Sequence, residues 1–274
     1  MRMVALTYLS TIRFSDADAG DFLHNQLSGD VLGLANGDST FACYCEPRGR
    51  VLALMLVCRL EGAYYVVMST ALVSTVVERL RIYVMRSKVD TEVLDEYPIS
   101  GSQANKTPAT ASPPMVAIPL PDKSRWYMAT AKDVMGAGDT ALQNNWKTSE
   151  LKQGIAWLHP ETSGQFLPQM LGFDQLGAVN FRKGCYPGQE IVARTHYLGK
   201  VKQHPRMLNI SATICPKALD TIQILSAGQE HKAIVVDCGQ NEDDGACLFV
   251  VTRMDPDLTA EQIKYQDQIL PLVN

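Results

Sequence analysis

At 274 residues the chain is long enough for about two domains. With 46% hydrophobic and 20% charged residues it can bury a sizeable core and is not a disordered tail. Twenty-five Lys and Arg against 29 Asp and Glu leave a net charge of −4, which excludes a surface coated in positive charge to grip nucleic acid everywhere; any such contact must be local.

In chain order, Ser15 followed three residues later by Asp18 has the form of a helix N-cap with an acidic first turn, and Ala19, Phe22, Leu23 and Leu27 supply one apolar face before Gly29. This predicts a helix over 16–28. Three β-like runs follow, Thr40 to Cys45, Val51 to Leu60 and Ala63 to Met68, separated by the turn chemistries Pro47-Arg48-Gly49 and Glu61-Gly62, and they read as a meander. From Thr70 to Met85 the apolar positions Leu72, Val76, Leu80 and Tyr83 fall at helical spacing, and Lys88 to Leu94 alternates like a strand. Sheet plus covering helix predicts α+β layers.

Residues 98–114 hold four prolines and many small polar residues and read as a surface loop or linker. Strands resume at Met115 to Leu120 and Arg125 to Thr130, and a helix is predicted over Thr140 to Lys147. After Pro205, the runs Arg206 to Ile210, Thr221 to Leu225, Lys232 to Cys238 and Ala246 to Thr252 are short strands with no long helix between them, which predicts a small C-terminal β-barrel or sandwich. The expected division is 1–204 for the α+β region and 205–274 for the barrel.

Charge is unevenly spread. Between Asn180 and Arg206, six basic residues (Arg182, Lys183, Arg194, Lys200, Lys202, Arg206) face Glu190 alone, a net +5 with His196 and His204 nearby, whereas Asp237 to Asp257 carries a net −5. The basic stripe holds the run Arg182-Lys183-Gly184-Cys185-Tyr186-Pro187-Gly188-Gln189-Glu190-Ile191-Val192-Ala193-Arg194. Two glycines bracket a cysteine and an aromatic, so the backbone can turn tightly and approach a ligand. Arg182, Lys183 and Arg194 would favour a thiolate at Cys185 if they lie close to it. Gln189 and Glu190 can bond the edge of a heterocycle or amide, and Tyr186 offers a face for stacking.

The seven cysteines include no C-x-x-C pair, which argues against a disulfide framework or an all-cysteine zinc site. Cys43 and Cys45 share one face of a strand and read as structural, as do Cys58, Cys215, Cys238 and Cys247, all in or beside apolar runs. His24, His159 and His231 lack metal-ligand spacing, and no metal site is expected, while His196 and His204 are candidates to touch an anionic ligand. Lys200 and Lys202 suit either a solvated face or a phosphate. No stretch is apolar enough to span a membrane and no leader is evident, so the expected location is the cytoplasm, with no membrane partner.

The run Lys183-Gly184-Cys185-Tyr186-Pro187-Gly188-Gln189-Glu190 resembles the K-G-C-Y-x-G-Q-E signature of the YgfZ folate-binding family, relatives of the glycine-cleavage T-protein, an aminomethyltransferase. The resemblance extends through Ser163 to Gln169, Ile191 to Arg194, Asp16-Ala17, Phe22 to Val31 and Tyr44 to Val51, spreading over about residues 10 to 205. It implies a pair of interleaved ferredoxin-like α+β domains with a C-terminal barrel, tetrahydrofolate bound between domains, and support of iron–sulfur enzymes such as a tRNA methylthiotransferase. Cys185 would be the functional thiol, and Lys183, Gly184, Tyr186, Gln189, Glu190 and Arg194 would surround the folate. No direct nucleic-acid contact is expected. Three departures from the pattern stand out. Ala53 and Leu54 stand where the aminomethyltransferase branch carries an acidic pair, Lys152 and Gln153 stand at or beside one of its glutamates, and Pro187 replaces a common threonine. The first departure disfavours the alternative function, methylene transfer, for want of a carboxylate to handle the amine. A third class, a cysteine hydrolase or thiol redox enzyme, requires a histidine base near Cys185.

Overall fold

The structure, a computed structural model, describes residues 3–102, 116–130, 139–199, 201–211, 214–240, 245–266 and 268–273. Its strands form three antiparallel sheets. The first is built from β2 (Leu9–Ser15), β3 (Ser39–Cys45), β4 (Val51–Leu60), β5 (Ala63–Ser69) and β6 (Asp90–Val93) in the order β3-β4-β5-β2-β6. β3, β4 and β5 are the predicted meander. Every residue of β4 from Val51 to Cys58 is buried, as a central strand covered on both faces requires. On one face of edge strand β3, Tyr44 lies near Tyr83 and Arg79 of helix α2 (Val73–Val84). On the other face Cys43 and Cys45 lie near Tyr186 of the signature run.

Helix α1 (Ala19–Gln26) is shorter than predicted. Ser15 ends β2 instead of capping the helix, and Asp18 occupies the N-cap position without a side-chain cap bond. The intervening turn is pinned from outside, because the Asp18 carboxylate accepts from the backbone N–H of Lys88 at 2.7 Å.

The second sheet has the order β1-β7-β9-β8, from β1 (Val4–Ala5), β7 (Ile99–Ser102), β8 (Val116–Pro119) and β9 (Trp126–Ala129). Strand β7 corrects the reading of 98–114 as a surface loop: Ile99 is 1% exposed, Ser100 and Ser102 are buried, and the strand pairs with β1 and β9. Its small polar residues suit the site, since a Cβ on Gly101 would sit 2.6 Å from the indole of Trp146. The rest of that stretch lies outside the described residues. Trp146 belongs to helix α3 (Thr140–Lys152), whose N-cap Asp139 accepts from Ala141 N and Leu142 N. Glu150 of this helix is fully buried and accepts hydrogen bonds from Tyr8 Oη at 2.7 Å, Trp146 Nε1 at 3.0 Å and Tyr127 Oη. Burial raises its carboxyl pKa against the pull of those donors.

The third sheet runs β10-β13-β12-β11-β14-β15, from β10 (His204–Ile210), β11 (Thr221–Ser226), β12 (Gln229–Gln240), β13 (Ala246–Thr252), β14 (Gln262–Tyr265) and β15 (Gln268–Leu270). Along β13, Leu248 and Val250 enter a small core confined to this sheet, whereas Cys247, Phe249 and Val251 join the main core. A period of two thus makes one strand serve two cores. The predicted barrel is not closed. β10 and β15 are edges, and among the described residues 271–273 meet β10 through the isolated Ile210–Leu272 bridge and its backbone bonds, Ser211 N to Pro271 O at 2.8 Å and Val273 N to Asn209 O at 2.9 Å.

β12 is bulged between Val235 and Asp237, and the bulge aims a 5% exposed carboxylate at α3. Asp237 Oδ1 sits 2.7 Å from Lys147 Nζ and 2.9 Å from His159 Nε2. Burial opposes its charge, and the Lys147 ammonium together with the hydrogen bond to His159 outweighs burial and holds the carboxyl below its ordinary pKa. Next to it, Cys238 is disulfide-bonded to Cys215, with Cα atoms 6.0 Å apart. One disulfide therefore exists where the spacing argued against a framework; its partners, 23 residues apart, share no local motif.

Candidate functional site

Three stretches distant in sequence converge on the signature run. Asn180 Oδ1 accepts from Arg182 N at 2.8 Å and Lys183 N at 3.2 Å, an Asx turn that sets the start of the loop. Asn180 N donates to Ser28 O at 2.9 Å, and the buried Ser28 hydroxyl donates to Ala178 O at 2.6 Å while accepting from Cys43 N at 2.8 Å. The loop is thereby tied to the chain after α1 and to β3. At its far end Gly188, with φ +81°, is the left-handed N-cap of helix α4 (Gln189–Tyr197). A Cβ there would come within 2.4 Å of Glu46 O and 2.6 Å of Gly49 Cα, so the helix start lies directly on the β3–β4 turn. That turn is tied onward by Val51 N to Phe166 O and Gly164 N to Val51 O, both 2.8 Å, and by Arg50, which donates to Gln165 O. Gln169 Nε2 closes the circuit on Val192 O of α4 at 2.8 Å.

Within this frame the predicted site residues take different roles. Lys183 turns inward, and its ammonium donates to Leu27 O at 2.6 Å and to His24 O, the carbonyls at the end of α1, where a cation is favoured. Burial brings its pKa down to about 8, with Asp30 and Cys185 acting in the opposite sense. Tyr186 lies under that ammonium, 5.1 Å from ring centre to Nζ. It is 6% exposed, so no free face remains for a ligand to stack on, and burial raises its phenol pKa. Gln189 Nε2 reaches back to Lys183 O at 3.4 Å. Cys185, Gly184, Glu190 and Arg194 are exposed, and Cys185 is the one exposed cysteine. Among the described residues no histidine is hydrogen-bonded to Cys185: His24 Nδ1 accepts from Leu32 N at 3.4 Å, His159 bonds Asp237, and His196 stacks on Phe181. A histidine-activated thiol is therefore not assembled.

A cleft of about 430 Å³ opens elsewhere, between the first and third sheets. Its walls are Phe41 of β3, Leu171 and Leu176 of the chain leading to the loop, and Phe249 of β13, while Asp122, Lys152, Gln153 and Gln175 bring polar groups to it. The volume and the mostly apolar lining with a few polar groups are those of a small-molecule site. None of the signature residues lines it. The expectation of a site between the α+β region and the C-terminal strands thus meets a cleft, but Lys183 and Arg194 are not in its wall. Lys152 and Gln153, noted in the sequence as departures, are. The sequence reading missed Asp122 and Gln175, which sit in unremarkable turns. It also missed the Lys147–Asp237–His159 cluster, whose one clue was an acid inside the apolar run Lys232 to Cys238.

No family model matches the chain. The tRNA-modifying protein YgfZ of Klebsiella pneumoniae (strain 342) is 27% identical over 277 residues, covering 91% of this chain and 84% of that protein. YgfZ of Colwellia psychrerythraea is 25% identical over 291 residues, covering 96% and 89%. The crystal structure of the glycine cleavage system aminomethyltransferase T from Bartonella henselae matches with a TM-score of 0.73 at 12% identity, over 98% of this chain and 83% of that one, a likeness of fold. The chain is a distant, near full-length homologue of YgfZ proteins on an α+β fold shared with the T-protein.

Proposed function

We propose that this distant homologue of the YgfZ proteins binds a reduced folate, tetrahydrofolate, in the cleft between its sheets, and that it acts as an accessory protein for iron–sulfur enzymes, among them one that thiomethylates tRNA. The observation that carries the folate reading is the cleft itself. Phe41, Leu171, Leu176 and Phe249 form apolar walls for a flat ring system, Asp122, Gln153 and Gln175 supply acceptors and donors for a heterocycle edge, and Lys152 is an exposed cation suited to a glutamyl carboxylate. Cys185, exposed on a loop fixed at both ends, is the group available to a partner enzyme. The alternative, aminomethyl transfer, lacks support in this chain: Ala53 and Leu54 are buried in β4, each 1% exposed, and bring no carboxylate.

Calorimetric titration with tetrahydrofolate is expected to give saturable binding that Lys152→Glu weakens by about tenfold or more, the worth of one charge-assisted contact. Lys183→Gln should leave affinity nearly unchanged, because its ammonium faces the end of α1 and not the cleft. Absence of heat at millimolar folate would remove the folate reading.

A further inference from the structure

The last turn of α4 carries His196 and Tyr197 into solvent. His196 lies flat on Phe181, with ring centroids 3.7 Å apart and planes 16° from parallel. Tyr197 stands edge-on to both, 6.0 Å from Phe181 and 4.8 Å from His196. It is 64% exposed, so it is not core, yet two neighbouring rings hold it in place. Arg182, one residue from Phe181, Arg194, three residues before Tyr197, and Lys202 are all exposed. Among the described residues none of these three cations makes a side-chain hydrogen bond or ion pair. The other described cations of the basic stripe are occupied internally. Lys183 holds the end of α1, and Arg206 Nη2 donates to Asp255 O at 2.9 Å and Pro256 O at 3.0 Å.

A cation in the last turn of a helix is favoured by the helix dipole, which accounts for Arg194 alone. It does not account for His196 and Tyr197 standing exposed beside a half-buried Phe181, in a run whose exposed cations are unpaired. That combination is the one an unstacked nucleic-acid strand uses, since its phosphates need neutralising charge and its bases need faces to stack on. A duplex hides its base faces and would use only the charges. The net charge of −4 confines any such attraction to a local patch.

We propose that the face formed by Phe181, Arg182, Arg194, His196 and Tyr197 binds single-stranded RNA of the kind presented by a hairpin loop, on the same loop-and-helix unit that carries Cys185. The choice of RNA rests on the accessory reading above, which it deepens by bringing the RNA itself to this chain, against the expectation of no direct nucleic-acid contact.

Fluorescence anisotropy with a labelled RNA hairpin, and with a blunt RNA duplex of equal length, tests it on the full chain. The hairpin is expected to bind more tightly than the duplex. Tyr197→Ala should weaken hairpin binding by about fivefold or more, with Tyr197→Phe retaining the affinity, because the ring and not the hydroxyl supplies the stacking face. Arg194→Gln should reduce the slope of log affinity against log salt by about 0.7, the share of one phosphate contact on a single strand. Circular dichroism of the variants should match the native protein, since both positions are exposed. Equal binding of hairpin and duplex, an unchanged Tyr197→Ala, or no anisotropy change at low salt overturns the proposal. Folate calorimetry on the same samples is independent, so a failure of the cleft reading and a failure of the RNA face are told apart.

Discussion

Cys185→Ser is expected to yield a folded protein that binds tetrahydrofolate with native affinity and fails to restore iron–sulfur-dependent tRNA thiomethylation in cells lacking the native protein. A hydroxyl in place of a thiol changes volume little and removes thiolate nucleophilicity and soft-metal affinity, so the substitution isolates chemistry from packing. Were Cys185 core filler, a stability cost of roughly 0.5 to 3 kcal/mol would confuse the outcome. Its exposure removes that ambiguity, and the change in stability should stay within about 0.5 kcal/mol. Cys43→Ser and Cys247→Ser are the controls: both cysteines are buried, so each substitution hides a hydroxyl at a cost of about 1 to 3 kcal/mol without touching the exposed thiol. Full complementation by folded Cys185→Ser would show that the thiol is dispensable and that the loop serves as framework alone.

Gly188→Ala is expected to destabilise the protein by about 3 to 5 kcal/mol, read as a lowered urea midpoint. Two costs combine. A left-handed backbone at φ +81° is unfavourable for alanine, and the added methyl would be driven to 2.4 Å from Glu46 O and 2.6 Å from Gly49 Cα. The obstructing atoms are backbone and belong to a turn tied by Gly49 N to Glu46 O at 2.8 Å, so relief requires the turn or the helix start to move. Gly184→Ala is the matched comparison, since a Cβ at Gly184 meets nothing within 4 Å and should cost no more than about 0.5 kcal/mol. A native midpoint for Gly188→Ala would mean that the helix and the turn are not in contact. Of the two glycines that bracket the signature, only the second is demanded by packing.

The same pair shows what the sequence could and could not convey. The meander, the helix after it and four C-terminal strands were legible because apolar period and turn residues agree locally; Val51–Leu60 is both the predicted and the observed extent of β4. Strand β7, Ile-Ser-Gly-Ser, was illegible because its residues are small and polar. It is a strand because Gly101 leaves room for Trp146, a fact of tertiary packing. Leu9–Ser15 also escaped notice, since its buried apolar residues Leu9, Ile12 and Phe14 stand among Ser10, Thr11 and Arg13 and keep no strict period of two. At the site, the sequence marked the loop by composition, but a lysine's charge does not say which way it points. Lys183 faces carbonyls of its own chain and Lys152 faces the cleft, and only the fold distinguishes them. The cleft draws its wall from separate stretches between Phe41 and Phe249, and no window of sequence holds it.

The distribution of sulfur has a practical consequence. Cys43, Cys45, Cys58 and Cys247 are buried, the half-buried Cys215 and Cys238 are joined to each other, and Cys185 is the one exposed free thiol. To a water-soluble maleimide the unaltered chain is a one-thiol protein, so a dye or spin label can be attached without first removing any other cysteine. The open space beside Gly184 leaves room for the attached group, and the ties of the loop to Ser28, Glu46 and Gly49 hold its point of attachment steady. Labelled there, the native sequence becomes its own optical probe of whatever approaches α4.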